Sequence, residues 1–269
     1  YTGLSMSESA KIAQNQATSN GGGVYLAGSS SKGSFRMSGS AQIAQNTAKN
    51  GGGGYVQNGS FSMYGGAITQ NTATSNGGGA YVTSSGSFSM SGSAQIIRNT
   101  AYSNGGGLFM DGTAFTVSGN VKVTGNGKST ADGTDNNVRL ARGGKTVTIG
   151  TGGLQDGAEI GVNMLQAGVF TSGGGEAYEG YFYSDSFHHV IVKESGELKL
   201  EEVSAHPHSH TLSGEGDKET FLPLSTFTQQ LNEGSYYLAR DIAMEGDEGQ
   251  ITVSGTVNLC LNGHTFDGS

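Results

Sequence analysis

Several residue types that stabilise or anchor proteins are scarce in this chain. Its 269 residues include one cysteine, two prolines and no tryptophan. Cys260 therefore has no partner for an internal disulfide, and the fold must rely on packing and hydrogen bonds. No apolar run is long enough to span a bilayer, so we expect no membrane insertion in this segment. Because Tyr1 is neither an initiator nor part of a secretion signal, we expect an internal, monomeric piece of a longer chain.

Charge is also scarce in the first part of the chain, although the net charge is −8. Residues 1–110 contain a single acidic side chain, Glu8, and the scattered basic residues Lys11, Lys32, Arg36, Lys49 and Arg98. Nucleic-acid binding needs a clustered basic face, so we expect no nucleic-acid partner. Glycoside hydrolysis needs two carboxylates across the scissile bond, which argues against a catalytic site in this part.

Glycine and repetition are abundant instead. The 48 glycines accompany a repeated motif in which Asn-Thr-Ala follows an aliphatic residue, and Asn-Gly-Gly precedes an aromatic residue. That aromatic residue recurs at intervals of about 27 residues, at Tyr25, Tyr55, Tyr81 and Phe109. A period of this length is typical of a solenoid, which builds an extended surface.

Each repeat contains three short stretches of alternating polarity. In Ser60-Phe-Ser-Met63 and Ser87-Phe-Ser-Met90, large apolar residues alternate with serine, as in a strand with one buried face. Three strands per repeat without helical periodicity predict an all-β fold, a right-handed parallel β-helix of about 27 residues per coil.

Two sets of asparagines recur in register. We predict that stacked amides form structural ladders, which pair backbone groups at the turns. The first set is Asn46, Asn71 and Asn99, and the second, before the glycines, is Asn20, Asn50, Asn76 and Asn104. Because asparagine and glycine tolerate positive φ, the second set predicts the sharp corner of each coil.

The recurring aromatic residues are the candidate binding site. If their aliphatic neighbours face inward, alternation turns Tyr25, Tyr55, Tyr81 and Phe109 outward as one stripe. Such a stripe could bind sugar rings or a protein partner. Alternatively, the rings stack on each other and stabilise the coils.

The repeat resembles those of bacterial surface β-helix proteins, including the polymorphic-membrane-protein type. The resemblance covers residues 1 to about 126 and is carried by Ile-x-x-Asn-Thr-Ala and Gly-Gly-Gly-x-Tyr. In this chain Ile replaces the usual Phe, and a third Gly replaces Ala. The resemblance implies a secreted or surface-displayed protein with an adhesive or structural role.

Beyond the repeats we predict closing coils and a hairpin around Ser195-Gly196, which complete a domain over residues 1–202. Residues 203–217 are polar and predict a linker. An amphipathic helix from Leu224 to Gly234 and later strands predict the capped start of a second, truncated β-helix over residues 218–269.

Weak metal candidates occur after the repeats. Asp132 and Asp135 offer oxygen ligands for calcium, but a solvated turn is the favoured interpretation because the later Glu and the spacing of a calcium loop are missing. His206, His208 and His210 could bind a metal only if the linker folded around it. We expect neither a metal nor a cofactor.

The sequence favours a non-catalytic extracellular module of a large bacterial surface protein, either an adhesin that binds glycans or host matrix proteins or a structural spacer. The alternative is a polysaccharide lyase or glycoside hydrolase with its site in the acidic second half, where Asp132 and Asp135 would be the leading residues. Ice binding by outward serines and threonines is disfavoured, because Arg36, Ser62, Ser89 and Thr116 form no uniform array.

Overall fold

The alternating segments form short parallel strands that wind into a β-solenoid of about six turns, with coils of about 27 residues. The predicted parallel β-helix is therefore confirmed. The computed structural model describes residues 3–27, 33–128, 136–141, 143–186 and 189–202. It further describes the strands Leu222–Leu224, Gln230–Leu238, Ile242–Ala243, Thr252–Cys260 and Phe266–Asp267.

The solenoid has three main faces, each a parallel sheet in which equivalent residues of successive coils pair. The Tyr face contains Val24–Leu26, Leu108–Met110 and Val138–Leu140. The Phe face contains Gly3–Met6, Gly33–Met37, Ala114–Gly119, Val147–Leu154 and Thr171–Ser172. The Ile face contains Lys11–Ala13, Gln42–Ala44, Ala67–Thr69, Gln95–Ile97, Lys122–Thr124 and Phe182–Ser184.

Three longer strands turn from one face to the next. Gly54–Met63 and Ala80–Met90 each run from the Tyr face to the Phe face, and Glu159–Met164 runs from the Ile face to the Tyr face. A small fourth sheet, the Thr sheet, joins the Ile and Tyr faces. It consists of Thr47–Ala48, Thr72–Ala73, Thr100–Ala101 and Gly127–Lys128.

The core consists of columns of like side chains because the coils stack in register. Phe35, Phe61, Phe88 and Phe115 are buried, with successive ring centroids 4.8, 4.9 and 6.2 Å apart. Ile43, Ile68, Ile96 and Val123 form a second buried column. Burying each such side chain stabilises the fold by roughly 1.5–3 kcal/mol.

The glycine runs lie where neighbouring backbone segments are too close together to leave room for a side chain. A Cβ atom on Gly78 would lie 2.4 Å from the backbone oxygens of both Thr100 and Gly106. The preceding Gly77 has φ +68°, a left-handed conformation that favours glycine. The predicted corner is therefore present, and its positive φ belongs to the glycine rather than to the asparagine before it.

The carboxyl-terminal end of the solenoid is covered by a hairpin. His189–Glu194 and Glu197–Glu202 pair antiparallel, and Ser195 and Gly196 form the turn with φ 54° and 82°. The strand Gly168–Val169 extends this sheet, and a 3-10 helix, Gly175–Tyr181, precedes it. Leu198 and Leu200 are fully buried, so the predicted hairpin packs its apolar side on the core.

The helix predicted from Leu224 to Gly234 is wrong where the structure describes this segment. Leu222–Leu224 and Gln230–Leu238 are parallel strands, and Gln230–Leu238 also pairs with Thr252–Cys260. Pairing on both sides outweighs the weak helical spacing of three apolar residues. The linker over residues 203–217 and the start of the second domain at 218 lie outside the described residues, so the linker and the domain boundaries stay predictions.

The close backbone contacts at this corner lead to a prediction about Gly78. Gly78→Ala should lower the free energy of unfolding by about 1–3 kcal/mol, because the added methyl group overlaps backbone atoms that cannot easily move. Urea denaturation measures the change.

The matched control is Gly127→Ala. A Cβ on Gly127 meets no heavy atom of the described residues within 4 Å, and its φ is not positive. This variant should stay within about 0.5 kcal/mol of the parent. Equal losses in the two variants would show that steric overlap is not the reason for the glycines.

Candidate functional site: the aromatic stripe and the asparagine ladders

The candidate binding residues form one outward row on the Tyr face, here called the aromatic stripe: Tyr25, Tyr55, Tyr81 and Phe109. The residues on either side of each ring within its strand point inward, as at Gly54 and Val56 around Tyr55. Tyr25 is 46% exposed, and the other three rings are half-buried. Strand pairing aligns each ring with the next.

The rings of the stripe stack face to face. Successive centroids are 5.4, 5.1 and 4.7 Å apart, with interplanar angles of 9°, 15° and 16°. The two faces of Tyr55 and Tyr81 are therefore covered by neighbouring rings, and these tyrosines present their edges outward. A sugar ring cannot stack on their faces while the row is intact, so a partner of the stripe must contact ring edges and hydroxyl groups.

The hydroxyl group of Tyr25 is hydrogen-bonded, and that of Tyr55 is partly buried. The Tyr25 hydroxyl donates to Gln57 Oε1 at 2.5 Å. Partial burial raises the pKa of the Tyr55 hydroxyl above its ordinary value, and the neighbouring Tyr81 and Tyr25 raise it further. The Tyr55 phenol therefore stays protonated and neutral at physiological pH.

The stripe ends at Arg139, which pairs with Phe109 in the next coil. Its guanidinium donates to Asn163 Oδ1 and to the Met164 carbonyl. The aromatic motif is absent from the sequence at this point, so the length of the stripe was readable from the repeats.

The first asparagine set forms a buried ladder, here called the inner ladder. Asn46, Asn71 and Asn99 are fully buried. In each step the side-chain amide donates to the Oδ1 of the next asparagine at 2.9 Å, and the backbone N–H donates to the same oxygen at 2.9–3.0 Å. The ladder pairs both side-chain and backbone groups inside the solenoid, where an unpaired polar group is costly.

The inner ladder is longer than the repeats indicated. Asn15 begins it and Asn126 continues it, both preceded by the aliphatic-x-x pattern that could have identified them. Asn137 follows Asn126 in the ladder but is only 11 residues away in sequence. That residue carries no repeat signal.

A buried carboxylate ends the inner ladder. Asp185 accepts from the Asn137 backbone N–H at 2.6 Å and from its side-chain amide at 2.7 Å. Tyr183 receives a bond from the Asn137 amide at 3.0 Å and donates to Thr124 Oγ1 at 2.7 Å. A carboxylate accepts without needing a further acceptor, which suits the last member of a donating row.

The inner-ladder asparagines that carry the repeat signal, from Asn15 to Asn126, each follow a residue in the left-handed region. Gln14, Gln45, Gln70 and Arg98 have φ between 55° and 61°, and Gly125 has φ 60°. Such a conformation is costly for residues with a side chain. It turns the chain so that the following amide points inward, and repetition at every coil shows that the ladder outweighs the strain.

The second asparagine set forms a partly exposed outer ladder at the glycine corner. Asn50 donates to Asn20 Oδ1 at 3.1 Å, and Asn104 donates to Asn76 Oδ1 at 3.2 Å. The Asn76 backbone N–H donates to Asn50 Oδ1 at 3.3 Å. The outer ladder therefore joins the corners of neighbouring coils through hydrogen bonds that are longer than those of the inner ladder.

No described group of residues has the arrangement of a metal site, since no three His, Cys, Asp or Glu side chains converge. Asp132, Asp135 and the three linker histidines lie outside the described residues.

A recess of about 100 Å³ lies beside Lys145, and its lining includes no carboxylate. Small-molecule sites are usually larger, about 300–1,000 Å³. Within the described residues, no helix has the length and apolar character to span a membrane.

One carboxylate fastens the hairpin to the solenoid. Glu197 accepts from the N–H groups of Gly174 and Gly175 and from the Thr171 hydroxyl at 2.8–2.9 Å. Partial burial acts to raise the pKa of Glu197, but these bonds and one from the Gly173 backbone outweigh it, so the pKa is lowered. Thr171 Oγ1 also receives the Leu198 N–H at 2.7 Å, which ties the hairpin strand to the last coil.

We expect the same Asn→Ala substitution to cost more stability inside the inner ladder than at its first step. Asn71→Ala should lower the free energy of unfolding by about 2–4 kcal/mol, since each buried donor left unpaired costs about 1–3 kcal/mol. Asn15→Ala removes the same amide at the exposed first step and should cost less than about 1 kcal/mol. Urea denaturation of both variants tests the prediction, and equal losses would contradict it.

The Glu197 bonds predict a loss of stability in acid. The pKa of Glu197 is lower in the folded state than in the unfolded state. The stabilisation from these bonds is therefore complete above the unfolded pKa of about 4.5, and it is lost as the pH falls through the folded pKa. Glu197→Gln should flatten the stability profile in that window, measured by thermal unfolding against pH. Glu194→Gln, on an exposed residue of the same hairpin, is the control and should keep more of the acid dependence.

The comparisons with known proteins assign no family to this chain. No protein-family model, curated protein or solved structure matches it. The role of the stripe and of the ladders must therefore be inferred from their geometry and chemistry.

Proposed function

We propose that this chain is a non-catalytic extracellular β-helix module of a large bacterial surface protein, and that its main role is that of a structural spacer. The observation that carries this proposal is the inner ladder, which extends from Asn15 through the repeats to Asp185. From Asn15 to Asn126, successive coils are bonded through asparagine side chains as well as through backbone pairing. Such an array forms a stiff rod whose length depends on the number of coils.

The distribution of charge supports a passive role. Glu8 is the only acidic residue among the described residues up to position 110, so the repeats offer no pair of carboxylates for hydrolysis. The recess beside Lys145 also lacks one. The extracellular and bacterial assignment is supported by the resemblance of the repeat to surface β-helix proteins.

Adhesion is the second candidate, and the aromatic stripe supports it. Four aligned rings offer a row of apolar edges with phenol hydroxyls, held rigid by stacking. Rigid aromatic groups supply contact area with little loss of conformational entropy on binding. Glycans or host matrix proteins that lie along the row would contact one ring in each coil.

One binding experiment separates these roles. The purified chain is applied to a glycan array and to immobilised host matrix proteins, beside the double variant Tyr55→Ala/Tyr81→Ala. The control is Tyr64→Ala/Tyr102→Ala, which removes two tyrosines that are each 55% exposed and lie outside the stripe. Circular dichroism verifies that all three proteins are folded.

For a spacer we expect no saturable binding by any of the three proteins and no cleavage of polysaccharides. Saturable binding that the Tyr55/Tyr81 variant loses and the control keeps would replace the spacer with an adhesin and locate its face. Release of oligosaccharides from a polysaccharide by the pure chain would overturn both roles.

A further inference from the structure

We propose that the aromatic stripe is a site of oxidative cross-linking, at which hydrogen peroxide and a haem peroxidase join tyrosines of neighbouring coils as dityrosine. The pairs are Tyr25 with Tyr55, and Tyr55 with Tyr81. The modification needs no binding partner for the stripe, so it stands whether the module is a spacer or an adhesin.

The stacking geometry matches the approach that this reaction needs. Two phenoxyl radicals couple when their ring faces meet and a carbon ortho to each oxygen comes into contact. The Tyr25–Tyr55 and Tyr55–Tyr81 pairs already lie face to face, 5.4 and 5.1 Å apart and within 15° of parallel. Strand pairing holds the backbones in the same register, so the two rings can meet without a change of register. The new bond lies in the plane of both rings, so each ring turns about its side-chain bonds as the product forms.

The reaction balances with peroxide as the oxidant. Each of two tyrosines gives one electron and its phenol proton to the peroxidase, and one peroxide molecule is reduced to two water molecules. The two radicals form one carbon–carbon bond between ortho carbons. Each of those carbons then loses its hydrogen as a proton while each oxygen regains one, so the product lacks two hydrogen atoms in total.

Access and competition favour the stripe over other tyrosines of the described residues. Tyr25 is 46% exposed and can be oxidised directly, and ring contact lets the radical pass to Tyr55. Tyr64 and Tyr102 are more exposed, but they form no ring pair in the described structure. Tyr178 and Tyr181 are 6.4 Å apart and tilted by 34°, a poorer approach for coupling.

Dityrosine would also supply the covalent links that a chain with one cysteine cannot form as disulfides. Cys260 is the only cysteine, so disulfides cannot join the coils. Tyrosine pairs would give an extracellular solenoid covalent links between coils under oxidising conditions. A link between coils restricts the unfolded chain and so raises stability.

The test treats the dilute full chain with horseradish peroxidase and hydrogen peroxide. Dityrosine fluorescence and the intact mass of the gel-purified monomer are measured, followed by protease digestion and mass spectrometry of joined peptides. We expect a monomer lighter by two hydrogen atoms, with joined peptides that contain Tyr25 and Tyr55 or Tyr55 and Tyr81.

Tyr55→Phe is the decisive variant, because it keeps the ring and the stack but removes the phenol shared by both pairs. We expect loss of dityrosine from the monomer. The control Tyr64→Phe/Tyr102→Phe should keep the yield of the parent. The proposal is wrong if Tyr55→Phe leaves the monomer yield unchanged, if the joined peptides map to other tyrosines, or if dityrosine appears only between chains.

Discussion

The rest of the structure depends on coil-on-coil register at the spacing of parallel strands, about 4.8 Å. At that spacing each side chain lies against its own counterpart in the next coil, so a position must hold a residue that packs well on a copy of itself. Phenylalanine, isoleucine and tyrosine do so through dispersion, and asparagine does so because one amide both donates and accepts. Lysine and glutamate repel their copies, which gives a physical reason for the scarcity of charge in residues 1–110.

The same constraint sets the cross-section of the solenoid. The Thr sheet lies so close to the glycine corner that a Cβ on Gly52 or Gly78 would overlap backbone oxygens. The left-handed residues before the inner ladder turn each amide inward, and the strain they carry is offset by buried hydrogen bonds. Side-chain choice, corner geometry and backbone pairing are therefore parts of one periodic solution.

A periodic stack has no natural end, so its termination needs different residues. The inner ladder ends in a carboxylate, Asp185, and the core ends under a hairpin fastened by Glu197. A uniform row of coils is suited to length and stiffness, and a row of stacked rings is suited to edge contacts and to the proposed coupling between tyrosines.

The repeats alone were enough to predict the coil. Repeats spaced by about 27 residues, alternation in Ser60-Phe-Ser-Met63 and the recurrence of Asn46 at Asn71 and Asn99 sufficed for the parallel solenoid, its core columns and the outward stripe, because periodic residues must occupy periodic positions. Where the period fails, the outcome depends on contacts that the repeats do not specify. Asn137 and Asp185 join the ladder without any repeat signal, the helix predicted at Leu224 gave way to strands paired on both sides, and the stripe rings proved to cover each other's faces. These outcomes depend on contacts between segments distant in sequence and on ring rotation about side-chain bonds, neither of which a local pattern specifies.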